Sequence, residues 1–334
     1  MMKQTLEFFS GFPVLLSPNA PAKLKNAKLD GRKKDIYKDR RGNLVEVSEL
    51  TRDYHVYILA SRVSSYFGPE ARWDKEKFIV STSLIFNTYP ERTEVAIELC
   101  FDGSSPYSIP SNLSPKDVCS VSVEPPESGG LPLGLMFNHK DGSKQGFMLS
   151  PDLMHFIKYP EGNHELTDFH VEYVGIACGK NANSNVFKRA NAHEKVVEIL
   201  GDLQQRHGNK SLFIFAYDPG FIMHSHGGQV VTGSNLIPQI VHGGLNSLFE
   251  AMEASLISYF QPEYNIEFKK FPKNRPIWLQ GNTNSFDGIA LDVNKFSVTL
   301  ASDSSFNPEG KWSFGRFWSK NRSAQKLHYF DINV

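Results

Sequence analysis

The sequence predicts an α+β protein in which a β-rich N-terminal region precedes a small β-sheet flanked by helices. Three observations predict it. Short β-branched and aromatic runs separated by turn residues fill positions 54–150, the order then becomes strand, helix, strand, helix from about residue 160, and short apolar runs return beyond Pro272. At 334 residues the chain exceeds the usual size of a single core, so two domains are expected, over 1–150 and 151–334.

In the N-terminal part the strand-like runs are 54–63, 78–86, 93–101, 118–123 and 131–137. Gly68-Pro69, Tyr89-Pro90, Gly103-Ser104-Ser105-Pro106, Pro125-Pro126 and Gly129-Gly130 punctuate them. Further on, 169–176 reads as a strand, and Asn183-Ser184-Asn185 offers capping side chains for a helix running to about Arg206. Residues 211–217 form a short apolar run bounded by turn residues, the pattern of a fully buried strand. A Gly-rich connection over 218–244 precedes a second helix over 245–260, which Pro262 terminates. Runs around Trp278, 289–293, 296–300, 312–318 and 327–332 predict β-hairpins that complete or flank the central layer.

Composition excludes several classes. Hydrophobic content of 40% and charged content of 22% are those of a soluble globular protein, and no segment is apolar for long enough to span a bilayer. The apolar patch of Phe8, Phe9, Phe12, Val14, Leu15 and Leu16 is broken by prolines and followed by no small-residue cleavage site, so residues 1–18 read as mature sequence. Cys100, Cys119 and Cys178 are odd in number and widely spaced; buried thiols in a reducing cytoplasm are expected, rather than a zinc site. A formal net charge of zero implies no global steering onto polyanions, although 23–41 is locally basic.

The polar residues from Tyr173 to Asn265 carry the functional signal. Arg189 and His193, four apart, share one helix face with Val186, Ala190, Val197 and Leu200 if the helix runs through both. A guanidinium on an inward face needs an acidic partner or an anion, and both readings stay open from the residues alone. On the second helix Leu245, Leu248, Phe249, Met252, Leu256 and Phe260 make the buried stripe, and Glu253 falls at its border while Glu250 turns outward. A carboxylate there suits a divalent cation at the rim of a pocket, or simply packs its methylenes. Asn265 follows the Pro262 turn, where asparagine is common for local reasons.

In order and spacing these residues resemble the GIY-YIG nuclease superfamily. Tyr173-Val174-Gly175 matches the second half of the family signature, Arg189 and His193 the pair that follows, Glu253 the metal ligand and Asn265 the terminal amide. No Gly-Ile-Tyr precedes them, and Tyr159, in Phe156-Ile157-Lys158-Tyr159, stands as the candidate for the first tyrosine.

The resemblance implies a small three-stranded sheet flanked by helices and hydrolysis of a phosphodiester with one Mg²⁺ or Mn²⁺. Glu253 would hold the ion, since Mg²⁺ keeps most of its waters and needs few protein carboxylates. Arg189 would stabilise charge on the phosphate. Tyr173 would act as, or relay to, the general base, His193 would orient or deprotonate that tyrosine or the water, and Asn265 would fix the phosphate or Glu253.

Basic residues gather around the same region. Lys269, Lys270, Lys273 and Arg275 follow Asn265, and Arg316 and Lys320 lie with Lys311, Arg322 and Lys326 among Trp312, Phe314, Phe317 and Trp318. Cations for phosphates and rings for bases suit a nucleic acid, whereas a strand with rings inward and charges outward explains the tail equally. His224-Ser225-His226-Gly227-Gly228 reads as a Gly-rich lid rather than a metal pair. The expectation is a metal-dependent endonuclease acting on DNA, of a kind that would suit restriction or phage defence. A non-catalytic nucleic-acid-binding or assembly protein on a decayed nuclease core is the alternative. The chain should not engage a membrane, and a homo-oligomer is compatible with all of this.

Overall fold

From Val56 to Val63 every residue but the last is buried, so the strand they form must be covered on both faces and sit inside a sheet. A computed structural model places it there. It describes residues 55–101, 113–114, 116–124, 133–149, 166, 168–177, 186, 193–225, 244–270 and 300–303, with strand segments at 4–9, 13–16, 36–38, 44–46, 230–232, 288–292 and 313–317. The elements are β1 (Gln4–Phe9), β2 (Pro13–Leu16), β3 (Ile36–Lys38), β4 (Leu44–Glu46), β5 (Val56–Val63), β6 (Ser65–Asp74), β7 (Ile79–Phe86), β8 (Thr93–Cys100), β9 (Val118–Glu124), β10 (Leu133–His139), β11 (Lys144–Leu149), β12 (Phe169–Ile176), α1 (Glu194–Arg206), β13 (Lys210–Ser225), β14 (Val230–Thr232), α2 (Gly244–Phe260), β15 (Gly288–Asp292), β16 (Leu300–Ala301) and β17 (Ser313–Phe317). The protein is mixed in class, with strands dominant and two helices of more than one turn among the described residues.

The large sheet runs β16-β12-β5-β13-β1-β15-β17, with β2 and β14 also paired to β13. Its middle is the antiparallel trio β12-β5-β13. The sheet therefore takes strands from both sides of residue 150. β13 is twice the length of its neighbour: Lys210 to Tyr217 pair with β5, and Asp218 and then Phe221 to Ser225 pair with β1. The Gly-rich connection expected over 218–244 thus begins as strand, with Phe221 and Met223 in register with Phe8 and Leu6. His224 belongs to this strand, and residues 226–229 lie outside the described ones.

Between β5 and β12 the chain builds a separate sandwich from two three-stranded antiparallel sheets, β6-β7-β8 and β11-β10-β9. Alternation in β8 turns Val95, Ile97 and Leu99 inward and Glu94, Ala96 and Glu98 out. Phe137 lies at the centre of that core, with ring centroids 5.0 Å from Phe101, 5.5 Å from Trp73 and 5.5 Å from Phe147. β6 was not legible because Gly68-Pro69, read as a turn, sits inside the strand, where the register shifts between Phe67 and Ala71. Proline is tolerated there since β6 is an edge strand.

A hydrogen-bonded corner fastens the sandwich to the large sheet. The Ser64 amide and hydroxyl both donate to the Asn209 carbonyl, at 2.8 and 2.7 Å. Asn87 donates through its amide to the Ser64 carbonyl at 2.9 Å, and Asn209 Nδ2 donates to the Asn87 carbonyl at 2.7 Å. Among the described residues no helix is long and apolar enough to cross a membrane. Cys119 is exposed and Cys100 half-buried, so neither is the buried thiol that the sequence suggested; Cys178 lies outside the described residues.

Candidate active site

Strand phase decides which side chains meet. Tyr57 and Leu59 of β5 project to one face with Leu212 and Ile214 of β13, and α1 covers that face with Val196, Ile199 and Leu203. Tyr173 pairs with Leu59 and Gly175 with Tyr57, so both belong to the same face. There Tyr57, Tyr173 and His193 form a three-ring cluster. Centroids are 5.6 Å apart for Tyr173 and His193, 6.1 Å for Tyr57 and Tyr173, and 6.4 Å for Tyr57 and His193, the last edge-on. Tyr57 is fully buried, while Tyr173 and His193 are half-buried and form the accessible side of the cluster.

Gly175 makes this stacking possible. A Cβ at that position would lie 2.7 Å from Tyr57 Oη and Cζ and 2.7 Å from Tyr173 Cε1. The glycine of Tyr173-Val174-Gly175 is therefore a matter of ring clearance.

His193 is the N-cap of α1, with extended backbone at φ −90 and ψ 120. This corrects the helix-face argument: a helix through Arg189 cannot continue into α1, and the wheel built on it fails. Val197, placed inward by that wheel, is 72% exposed, while Val196, Ile199 and Leu203 are buried. The cap also sets the imidazole's protonation pattern. Lys195 N donates to His193 Nδ1 at 3.2 Å, so the neutral ring carries its proton on Nε2. In this arrangement the neutral ring presents Nε2–H, a donor. Arg189 and Tyr159 lie outside the described residues.

Asn265 has a different partner from the one expected. Its Oδ1 accepts from Val174 N at 2.8 Å and its Nδ2 donates to Val174 O at 2.9 Å, both buried. Among the described residues β16 pairs β12 at Phe169 and His170, and at Val174 the carboxamide makes the bonds a neighbouring strand would make for one peptide unit. One acceptor and one donor of the carboxamide are thus bound to the backbone beside Tyr173.

The turn after α2 is stitched to the same edge. Tyr264 N donates to Glu172 O at 3.3 Å, and its hydroxyl donates to Asp202 Oδ2 of α1 at 2.7 Å. Burial and then the Asp202 carboxylate push this phenol well above its ordinary value, so Tyr264 is a structural donor and no base. Gln261 Nε2 donates to both Ser258 O and Lys269 O at 2.7 Å, which pins the loop carrying half-buried Lys269 and exposed Lys270.

Glu253 stands on α2, whose residues from Met252 to Phe260 are all buried except Glu253 itself, which is half-buried. The helix packs on β12 and β5. His55, two residues before Tyr57, places its ring 5.1 Å from Phe249, one turn ahead of Glu253, so α2 passes the tyrosine end of β5. Burial disfavours the charge of the neighbouring Glu250 and raises its pKa.

Of the expected set, the fold brings Tyr173 and His193 into ring contact and puts Asn265 on the adjoining peptide. Glu253 stands on α2, which packs on β12 and β5, and no described residue of α2 belongs to the buried cluster that Tyr57 shares with α1. Arg316 pairs with Ile289 at the far edge of the sheet, roughly 24 Å from β12 by strand spacing alone. Lys320 lies outside the described residues. Sequence reasoning missed Tyr57, whose one signal was a tyrosine inside the apolar run of β5. Compared with protein-family models, curated proteins and solved structures, the chain gives no significant match.

Proposed function

We propose that this chain is a metal-dependent endonuclease that hydrolyses phosphodiester bonds, with DNA as its substrate. The observation that carries the reading is the cluster of half-buried Tyr173 and His193 over buried Tyr57, drawn from three separate stretches of the chain. The trio β12-β5-β13, with α1 joining β12 to β13, accords with the three-stranded sheet that the GIY-YIG resemblance implies. In this reading Tyr57 takes the place for which Tyr159 was the candidate.

Glu253 fits a divalent cation such as Mg²⁺ or Mn²⁺, because a single carboxylate on a rigid, otherwise buried helix turn leaves most coordination sites to water and phosphate. Such an ion supplies charge neutralisation at the phosphate and leaving oxygen. The residues do the rest. Tyr173 Oη, having released its own proton to solvent, takes the proton of the attacking water, and nearby donors and positive charge favour that phenolate. His193 Nε2–H is a donor for the phenolate or a phosphate oxygen, and Arg189 is assigned the transition-state charge. Lys269 and Lys270 lie on the pinned loop as phosphate contacts that carry no sequence information. Arg316 and Lys320 would serve a more distant length of the same polyanion. A role in restriction or phage defence belongs to this reading, as does a homo-oligomer.

The test is nicking of supercoiled plasmid by purified protein with Mg²⁺. Tyr173→Phe and Glu253→Ala should each lower the rate by about 100-fold or more, the scale of a lost general base or charge stabiliser. Equal nicking by wild type and both variants, or none by any, overturns the enzyme in favour of a non-catalytic nucleic-acid-binding protein.

A further inference from the structure

The face on which Tyr173 stands depends on an irregularity one residue before it. Along β12, His170 pairs with Ser61 and Val171 with Ala60, but Tyr173 pairs with Leu59, so Glu172 is an extra residue with no counterpart on β5. This is a β-bulge. In an unbroken strand, residues 171 and 173 would share one face. Here Val171 goes with Ala60 and Tyr173 with Leu59, on opposite faces, and only the extra residue reconciles the two phases.

Glu172 is also held by several partners. It is buried, accepts from Ser61 Oγ at 2.5 Å, and lies 3.4 Å from His170 Nδ1. His170 Nε2 faces Asp303 Oδ1 at 3.3 Å just past β16, and the Glu172 carbonyl takes the Tyr264 amide. Buried carboxylates persist only where their lone pairs are met, and these partners all converge on the bulge.

We infer that Glu172 is a positioning residue: tied to Ser61 and His170, it holds the bulge that turns Tyr173 onto the face of Tyr57 and His193. Its effect on catalysis rests on the nuclease reading, whereas its effect on the rings does not. Ring-labelled tyrosine NMR of the full chain, assigned with Tyr57→Phe and Tyr173→Phe, reads the geometry; plasmid nicking reads the chemistry. Glu172→Ala should displace the Tyr57 and Tyr173 ring signals and lower kcat about 10-fold, with KM changed less than about 2-fold, as for a misplaced reacting group. Ser61→Ala should move the same signals less, and Glu172→Gln, which keeps an acceptor for Ser61, least. Where Glu172→Ala fails to fold, Ser61→Ala and Glu172→Gln carry the test. Unmoved ring signals in the folded variants overturn the inference whatever the activity. Shifted signals in a protein that never nicks DNA uphold it and sink the nuclease reading alone.

Discussion

The sandwich and the large sheet solve the same packing problem with different materials. The sandwich core is almost wholly apolar, a ring cluster centred on Phe137 with Thr82 as its buried polar residue. Around the large sheet the fold buries Ser61, Arg62, Glu172, Ser255, Ser258 and Asn265. Arg62 illustrates the cost: its guanidinium lies 4.9 Å over the Phe169 ring and 5.3 Å from Phe213, in the sheet's own interior. Buried polar groups lower stability unless every bond is met, so their concentration in one region marks where geometry has been specified beyond what folding requires. In the proposed reading the sandwich is scaffold and the sheet carries the chemistry.

That contrast can be broken by substitution. Phe137→Ala should have the largest effect, about 3–5 kcal/mol of stability, because it empties the meeting point of four aromatic rings. Hydrogen exchange should show the loss confined to β6 through β11; equal loss of protection in β5, β12 and β13 would mean that the two regions are one cooperative unit. Gly175→Ala should cost about 1–3 kcal/mol by overpacking, and should suppress nicking beyond its effect on the melting temperature. A variant that melts lower but cuts normally would show that the rings adjust.

Asn265→Ala strands the amide and carbonyl of Val174 and should cost about 1–3 kcal/mol, with faster exchange of the Val174 amide as its local mark. Asn209→Ala, which removes one bond of the corner, should cost about 1 kcal/mol and loosen the sandwich without altering nicking.

The smallest effect is one of pH. Contact with Glu172, opposed by burial and aided by Asp303, raises the His170 pKa above its ordinary 6.5. Burial raises that of Glu172, but His170 and Ser61 outweigh it and bring the net value below 4.5. The histidine's contribution is fully present below 6.5 and is lost as pH rises through its raised value, whereas the carboxylate's is present above 4.5 and is lost as pH falls. Melting temperature should therefore hold between those limits and decline on either side, and His170→Gln should flatten the alkaline decline. Asp303 is almost fully exposed and adds little.

Legibility followed the same division. Strands of the sandwich pair with neighbours in sequence, so alternation located β7, β8, β9 and β10; it missed β6 and β11, where Pro69 and Gly146 interrupt the pattern. In the sheet, the sequence run 169–176 coincides with β12, and Pro262 ends α2 as its missing amide requires. Val186, just past the expected cap, is helical, but the helix expected to run on to Arg206 is interrupted at His193, an unusual cap whose Nδ1 does the same work as a carboxylate oxygen.

Residue types and their order singled out Tyr173, Arg189, His193, Glu253 and Asn265 as a candidate set, since ring, guanidinium, imidazole, carboxylate and carboxamide suggest their chemistry in one dimension. Which of them touch, and through what, was a matter of strand phase. A single extra residue at 172 reverses the face of everything after it, and no local pattern in the chain declares where such a residue falls. Tyr57, more than a hundred positions before its partner, entered the cluster only when β5 settled between β12 and β13, because pairing across a sheet depends on hydrogen-bond register and is blind to distance along the chain.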